Sequence, residues 1–170
     1  MVDKIGFYLG AFDPFHEGHL EVCKLSLEFL DKLYIQPHKS RKLVHIFSLE
    51  ERMQRISNSI RNLPNVYIRQ EQRIVYDHRK DGKYRYQLIK WAQEEINPPG
   101  DFFVVMGSDK LHNPMYEIKG ELHEFPHIIV RRNKDHIDKK VLEYFPKYII
   151  LEGSKNISST EIRESLKSIS

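Results

Sequence analysis

Residues 102–106 read Phe-Phe-Val-Val-Met, five apolar side chains with no polar interruption. A strand with one wet face alternates polar and apolar positions; one covered on both faces does not. Strands covered on both faces belong mostly to parallel sheets with helices packed on either side. Ile5-Gly6-Phe7-Tyr8-Leu9, Leu33-Tyr34-Ile35, Val66-Tyr67-Ile68, His127-Ile128-Ile129-Val130 and Tyr148-Ile149-Ile150-Leu151 read as further strands. Helical spacing fills the gaps between them. Leu20, Cys23, Leu27 and Leu30 mark one helix over 19–30. Ser48 and Glu51 resemble a capping box ahead of Met53, Ile56, Ile60 and Leu63. Tyr86 to Ile96 reads as a third helix, and Ser159 or Thr160 can cap a last one carrying Ile162, Leu166 and Ile169. Pro37, Pro64 and Asn97-Pro98-Pro99-Gly100 punctuate the pattern. Strands alternating with helices predict an α/β fold, a mostly parallel sheet with helices on both faces.

Composition narrows the function classes. At 170 residues, 40% of them hydrophobic, the chain can bury one core without staples, and one domain over 1–170 is expected. The single Cys23 forms no internal disulfide and sits on an apolar stripe, so it reads as a buried, inert thiol. No apolar run approaches ~20 residues, so no membrane partner is expected. The first residues lack the layout of a signal peptide, which leaves cytoplasm as the expected location. The net charge of +3 is too mild to argue for a nucleic-acid partner. Nine histidines are many for this length; some are expected at a polyanion site and most on the solvated surface.

In open α/β sheets ligands bind beyond the carboxyl ends of the strands, where strand order reverses. The loop after the first strand is Gly10-Ala11-Phe12-Asp13-Pro14-Phe15-His16-Glu17-Gly18-His19. Gly10 lets backbone approach a ligand, and Gly18 leaves room beside the histidines. His16 and His19 stand three apart at a helix start, so they share a face. With free backbone N–H groups and the positive helix end they make an anion site. Two plain surface histidines on a helix cap are the simpler reading of His-x-x-His alone. Zinc would need further ligands, which the neighbourhood does not offer. As an exposed first-turn residue, His19 is expected to add little to packing.

A second motif lies at the other end: Ile157-Ser158-Ser159-Thr160-Glu161-Ile162-Arg163. Three hydroxyls enter a helix and Arg163 falls one turn in from Ser159. Hydroxyls, backbone N–H groups and a guanidinium then converge in a way suited to phosphate. An ordinary Ser/Thr cap with a solvated arginine is the alternative when this motif stands alone.

Together the two motifs resemble the nucleotidyltransferase superfamily with a His-x-Gly-His motif, which shares a Rossmann-like core with the class I aminoacyl-tRNA synthetases. Gln36-Pro37-His38-Lys39 and Met106-Gly107-Ser108-Asp109-Lys110-Leu111 further resemble bacterial nicotinate mononucleotide adenylyltransferases, as does the strand-end Val130-Arg131-Arg132. The chain departs from that subfamily in two places. Asn113-Pro114-Met115-Tyr116 stands where a Trp is expected, and Gly82-Lys83-Tyr84-Arg85 replaces Ser-Tyr-Thr before the middle helix.

The resemblance implies adenylyl transfer from ATP to nicotinate or nicotinamide mononucleotide, with pyrophosphate released. It assigns His16 and His19 to the ATP phosphates and the developing charge. Ser158, Ser159, Thr160 and Arg163, opened by Ile157, would take the departing phosphates. Lys39 would hold a phosphate crossing between the substrates. Gly10, Ala11 and Phe12 would offer backbone, Gly107 and Asp109 would face ribose or the mononucleotide, and Arg131 would end its strand at the site. Mg²⁺ would travel with ATP, held by phosphate oxygens rather than by the protein. A homo-oligomer is compatible with all of this. The rival readings are pantetheine-phosphate adenylyltransferase, a cytidylyltransferase of a small phosphorylated alcohol, and a nucleotide-binding module without turnover.

Overall fold

The computed structural model describes residues 2–38, 45–73, 82–96, 100–132 and 136–154. Lys39, the motif Ile157–Arg163 and the expected last helix lie outside the described residues. Six strands form one sheet: β1 (Lys4–Gly10), β2 (Lys32–Pro37), β3 (Val66–Ile68), β4 (Asp101–Gly107), β5 (His127–Arg131) and β6 (Tyr148–Glu152). Every pairing is parallel and the order is β3-β2-β1-β4-β5-β6. The expected fold class holds. Strand order reverses between β1 and β4, so the crevice for a ligand opens beyond Gly10 and Gly107.

The helices are α1 (Glu17–Leu27), α2 (Leu49–Ser59), α3 (Lys83–Ile96), α4 (Pro114–Glu117) and α5 (Lys139–Leu142), with 3₁₀ turns at Ser108–His112 and Glu121–Glu124. Alternate side chains along the central strands feed two cores. Phe7, Leu9, Val104, Met106 and Ile129 pack under Leu88, Ile89 and Ala92 of α3. Tyr8, Leu33, Ile35, Val105 and Ile128 pack on the other face with Val22 and Cys23 of α1 and Ile56 of α2. That two-sided burial is why the β4 run carries no polar residue.

Among the boundaries that differ from the expected ones, three have a visible local cause. Pro37 continues β2 instead of stopping it. His38 N–H bonds the Gly10 carbonyl at 2.8 Å, so the Pro37 nitrogen faces the β3 side, past the last pair Ile35↔Ile68. α3 begins at Lys83, three residues before the expected Tyr86, because Gly82 turns the chain with φ +73°. α1 starts at Glu17, ahead of the expected 19, because His16 itself caps it.

Candidate active site

The β1–α1 loop is held by its own aromatic residues. Phe12 is 2% exposed and has φ 48°, a conformation that bulky residues avoid. Its ring meets Tyr8, Phe15 and His19 edge-on at centroid distances of 5.0, 5.6 and 5.0 Å. A Cβ on Gly10 would stand 3.0 Å from that ring. Gly10 therefore makes room for Phe12 in addition to any ligand.

His16 and His19 close a reciprocal cap. His16 Nδ1 accepts the Gly18 N–H at 3.0 Å, and His19 Nδ1 accepts the His16 N–H at 3.2 Å. The rings stack with centroids 3.8 Å apart, and Phe15 lies against His19 at 5.3 Å. His19 is thus half-buried and packed, not the exposed residue that sequence spacing suggests. Gly18, buried between them, admits this approach.

The cap fixes the chemistry of the rings. With both Nδ1 atoms accepting, each neutral ring carries its proton on Nε2. Burial, then the Arg132 charge, pushes His16 down to about 4. Burial, the neighbouring His16 and Arg132 hold His19 well below the usual imidazole range. At neutral pH both rings are uncharged N–H donors. His16 Nε2 is buried with no hydrogen-bond partner among the described residues. A buried donor left unpaired at a helix N-terminus is costly until an acceptor arrives.

Positive charge comes from the far side of the crevice. Arg132 follows β5 and is 9% exposed. It donates Nη2 to the Tyr8 hydroxyl at 3.5 Å, and its N–H donates to Ser108 Oγ at 3.2 Å. A Cβ on Gly107 would stand 2.6 Å from Asp109 Oδ1 and 3.0 Å from Arg132 Nε, so glycine allows the two to close over the end of β4. Arg131, the residue singled out by sequence, pairs through its Nε with Glu152 on β6 at 3.4 Å. The two neighbouring arginines thus take different partners.

The departures from the subfamily pattern serve internal contacts. Tyr84 meets His38 Nδ1 through its hydroxyl at 3.1 Å, and Arg85 donates to the Leu9 carbonyl at 3.2 Å. Tyr116 is fully buried, its hydroxyl 3.3 Å from both Arg85 Nε and His127 Nε2. The expectation that most histidines are solvated is corrected: among those described, His112 and His136 alone are exposed. Gly153 and Ser154, past β6, rest on α1, where Glu21 accepts from Ser154 N and Oγ at 2.6 Å. The Ile157–Arg163 motif follows three residues on in sequence. Sequence reasoning missed Arg52 and Arg132. Arg52 was signalled by its position four before Ile56, a charge on a buried stripe.

An all-parallel sheet with imidazole donors at its switch point is a Rossmann-like arrangement suited to a nucleotide phosphate. The chain belongs to the cytidylyltransferase-like family, whose model matches residues 7–165. It is 27% identical to a probable nicotinate-nucleotide adenylyltransferase of Endomicrobium trichonymphae, over 96% of this chain and 86% of that protein. Its fold is similar to that of Plasmodium falciparum nicotinic acid mononucleotide adenylyltransferase complexed with NaAD. The TM-score is 0.71, with 21% identity over 95% of this chain and 83% of that one. A bifunctional NMN adenylyltransferase/ADP ribose pyrophosphatase of Francisella tularensis, complexed with AMP and a Mn ion, superposes with TM-score 0.61. It is 21% identical and is covered over 42% of its length by 99% of this chain. Among the described residues no helix is long and apolar enough to cross a membrane.

Proposed function

We infer that this protein transfers the adenylyl group of ATP to nicotinate or nicotinamide mononucleotide, releasing pyrophosphate. The observation that carries the reading is the pair of neutral imidazoles capping α1 at the switch point, with His16 Nε2 unpartnered. The family match and the similar adenylyltransferases supply the donor and acceptor classes.

The acceptor phosphate is already an anion at neutral pH, so no general base is needed. One of its oxygens attacks the α-phosphorus in line; the bond from that phosphorus to the bridging oxygen breaks, and pyrophosphate leaves with the electron pair. Positioning and charge neutralisation carry such a step. His16 and His19 would donate Nε2–H to the triphosphate, with Gly10, Ala11, Phe12 and Gly18 lining its path. Arg132 would supply the charge that Arg131 was expected to bring. Gly107 and Asp109 would face a ribose, Lys39 a bridging phosphate, and Ser158, Ser159, Thr160 and Arg163 the leaving pyrophosphate. The described residues contain no cluster of three or more His, Cys, Asp or Glu able to hold a metal. The donor set at the loop suits phosphate oxygens rather than a cation. A divalent ion such as Mg²⁺ would therefore come with ATP, neutralising charge on the phosphates.

The test is a panel of acceptors with ATP and Mg²⁺, read as pyrophosphate and product. Pyridine mononucleotides should be used far faster than phosphopantetheine or glycerol phosphate. If phosphopantetheine is the better acceptor, or CTP the better donor, the reading fails.

A further inference from the structure

Two buried charges anchor the histidine-bearing loop, Asp13 to the segment ahead of α2 and Arg52 to the end of β2. Asp13, 3% exposed, lies three residues before His16. Its carboxylate oxygens accept the backbone N–H of Ile46 and Phe47, each at 2.9 Å, and lie near His45 Nδ1 at 3.5 Å. Arg52 reaches the opposite way from α2 and is 2% exposed. Its Nη1 donates to the Ala11 carbonyl at 2.8 Å and the His38 carbonyl at 3.0 Å, and its Nε to the Phe47 carbonyl at 3.2 Å. A guanidinium presents its donors in a rigid fork, so it fixes the mutual spacing of the carbonyls it joins. Ala11 opens the loop read as holding ATP. His38 is the residue before Lys39, read as meeting the phosphate that crosses between substrates.

We propose that Asp13 and Arg52 form one reciprocal staple that sets the spacing between the two substrate-holding segments, and so act as positioning residues for the transfer. The proposal rests on the adenylyl-transfer reading for its kinetic consequence. Each substrate meets its own segment whether or not the staple is intact. What the staple controls is their alignment, which contributes to kcat more than to either KM.

The test uses the full chain with Asp13→Asn, Arg52→Lys and the double variant, assayed well below the melting point of each. Arg52→Lys keeps the charge and the stem but loses the fork. Each single variant should lower kcat about 30-fold, with KM for ATP and for the mononucleotide within about threefold. The double variant should be no worse than the worse single one by more than about threefold, because both break one device. Kinetics use whichever acceptor the panel selects. A substrate-free arm measures hydrogen exchange at the Ile46 and Phe47 amides, which both single variants should speed at least tenfold. Kinetic losses that multiply, or kcat within threefold of wild type with only the melting temperature lowered, would overturn the proposal. Faster amide exchange in Asp13→Asn but not in Arg52→Lys would also overturn it. An enzyme inactive with pyridine mononucleotides defeats the activity reading, while the exchange arm still decides whether one staple exists.

Discussion

Replacing His19 with Ala removes three separate things. The His16 N–H loses its acceptor at 3.2 Å, which breaks one of the two bonds of the reciprocal cap of α1. A lost cap of this kind costs about 1 kcal/mol. The ring also leaves its stack between Phe15 and His16, with Phe12 edge-on. Aromatic contacts of that sort add about 1 kcal/mol. For a chain of this length ~2 kcal/mol corresponds to a melting temperature lower by roughly 5 °C. The third loss is the Nε2–H donor. Removing one preorganised donor to developing charge costs about 10²-fold in kcat, or ~2.7 kcal/mol. His19→Gln separates these effects, since Gln at the third helical position can accept the cap N–H. It should recover about half of the lost melting temperature and little of the lost kcat. The assay is steady-state kinetics and a melting curve on the same preparations. A Gln variant with near wild-type kcat would refute the donor role, and an Ala variant with unchanged melting would refute the packing account.

Three further outcomes follow from burial. His127, fully buried, is held down at about 3 by burial, against an ordinary value of 6.5. The unfolded chain therefore binds the extra proton, so the stability is present above pH 6.5 and lost as pH falls towards 3. His127 alone should cost about 2 kcal/mol between pH 7 and 5. His16, His19 and His38 shift in the same direction and steepen the loss, read by melting curves across that range. A flat profile from pH 7 to 5 would contradict the neutral assignment. Cys23 is fully buried with its thiol pushed up to about 12, so a thiol reagent should leave it untouched in the native protein and label it in denaturant. Gly107→Ala should lower kcat at least tenfold while changing melting by a few degrees, because its Cβ would displace Asp109 and Arg132.

The sheet and the histidine pair were legible because each has a local cause. The apolar run of β4 reports coverage on two faces, and His-x-x-His after a strand reports a helix start. The staple was not legible, because Asp13 meets Ile46 and Arg52 meets Ala11 across 33 and 41 residues; the charge on the buried stripe of α2 marks Arg52 but does not name its partners. Arg131 and Arg132 illustrate a second limit. They are neighbours in sequence, and their different partners, Glu152 on β6 for one and Tyr8 and Ser108 for the other, come from tertiary structure. Histidine burial likewise depends on tertiary partners, as with His127 against Tyr116 and the Phe125 carbonyl. The roles read for Lys39 and Ile157–Arg163 rest on the family resemblance alone.

The most direct test of the central claim follows the attacking oxygen. Nicotinate mononucleotide labelled with ¹⁸O on its phosphate is incubated with ATP, Mg²⁺ and the protein, and both products are analysed by mass spectrometry. Attack by the acceptor phosphate on the α-phosphorus predicts a dinucleotide that retains all of the label, with unlabelled pyrophosphate. Label in the pyrophosphate, or pyrophosphate formed without any dinucleotide, would contradict the account.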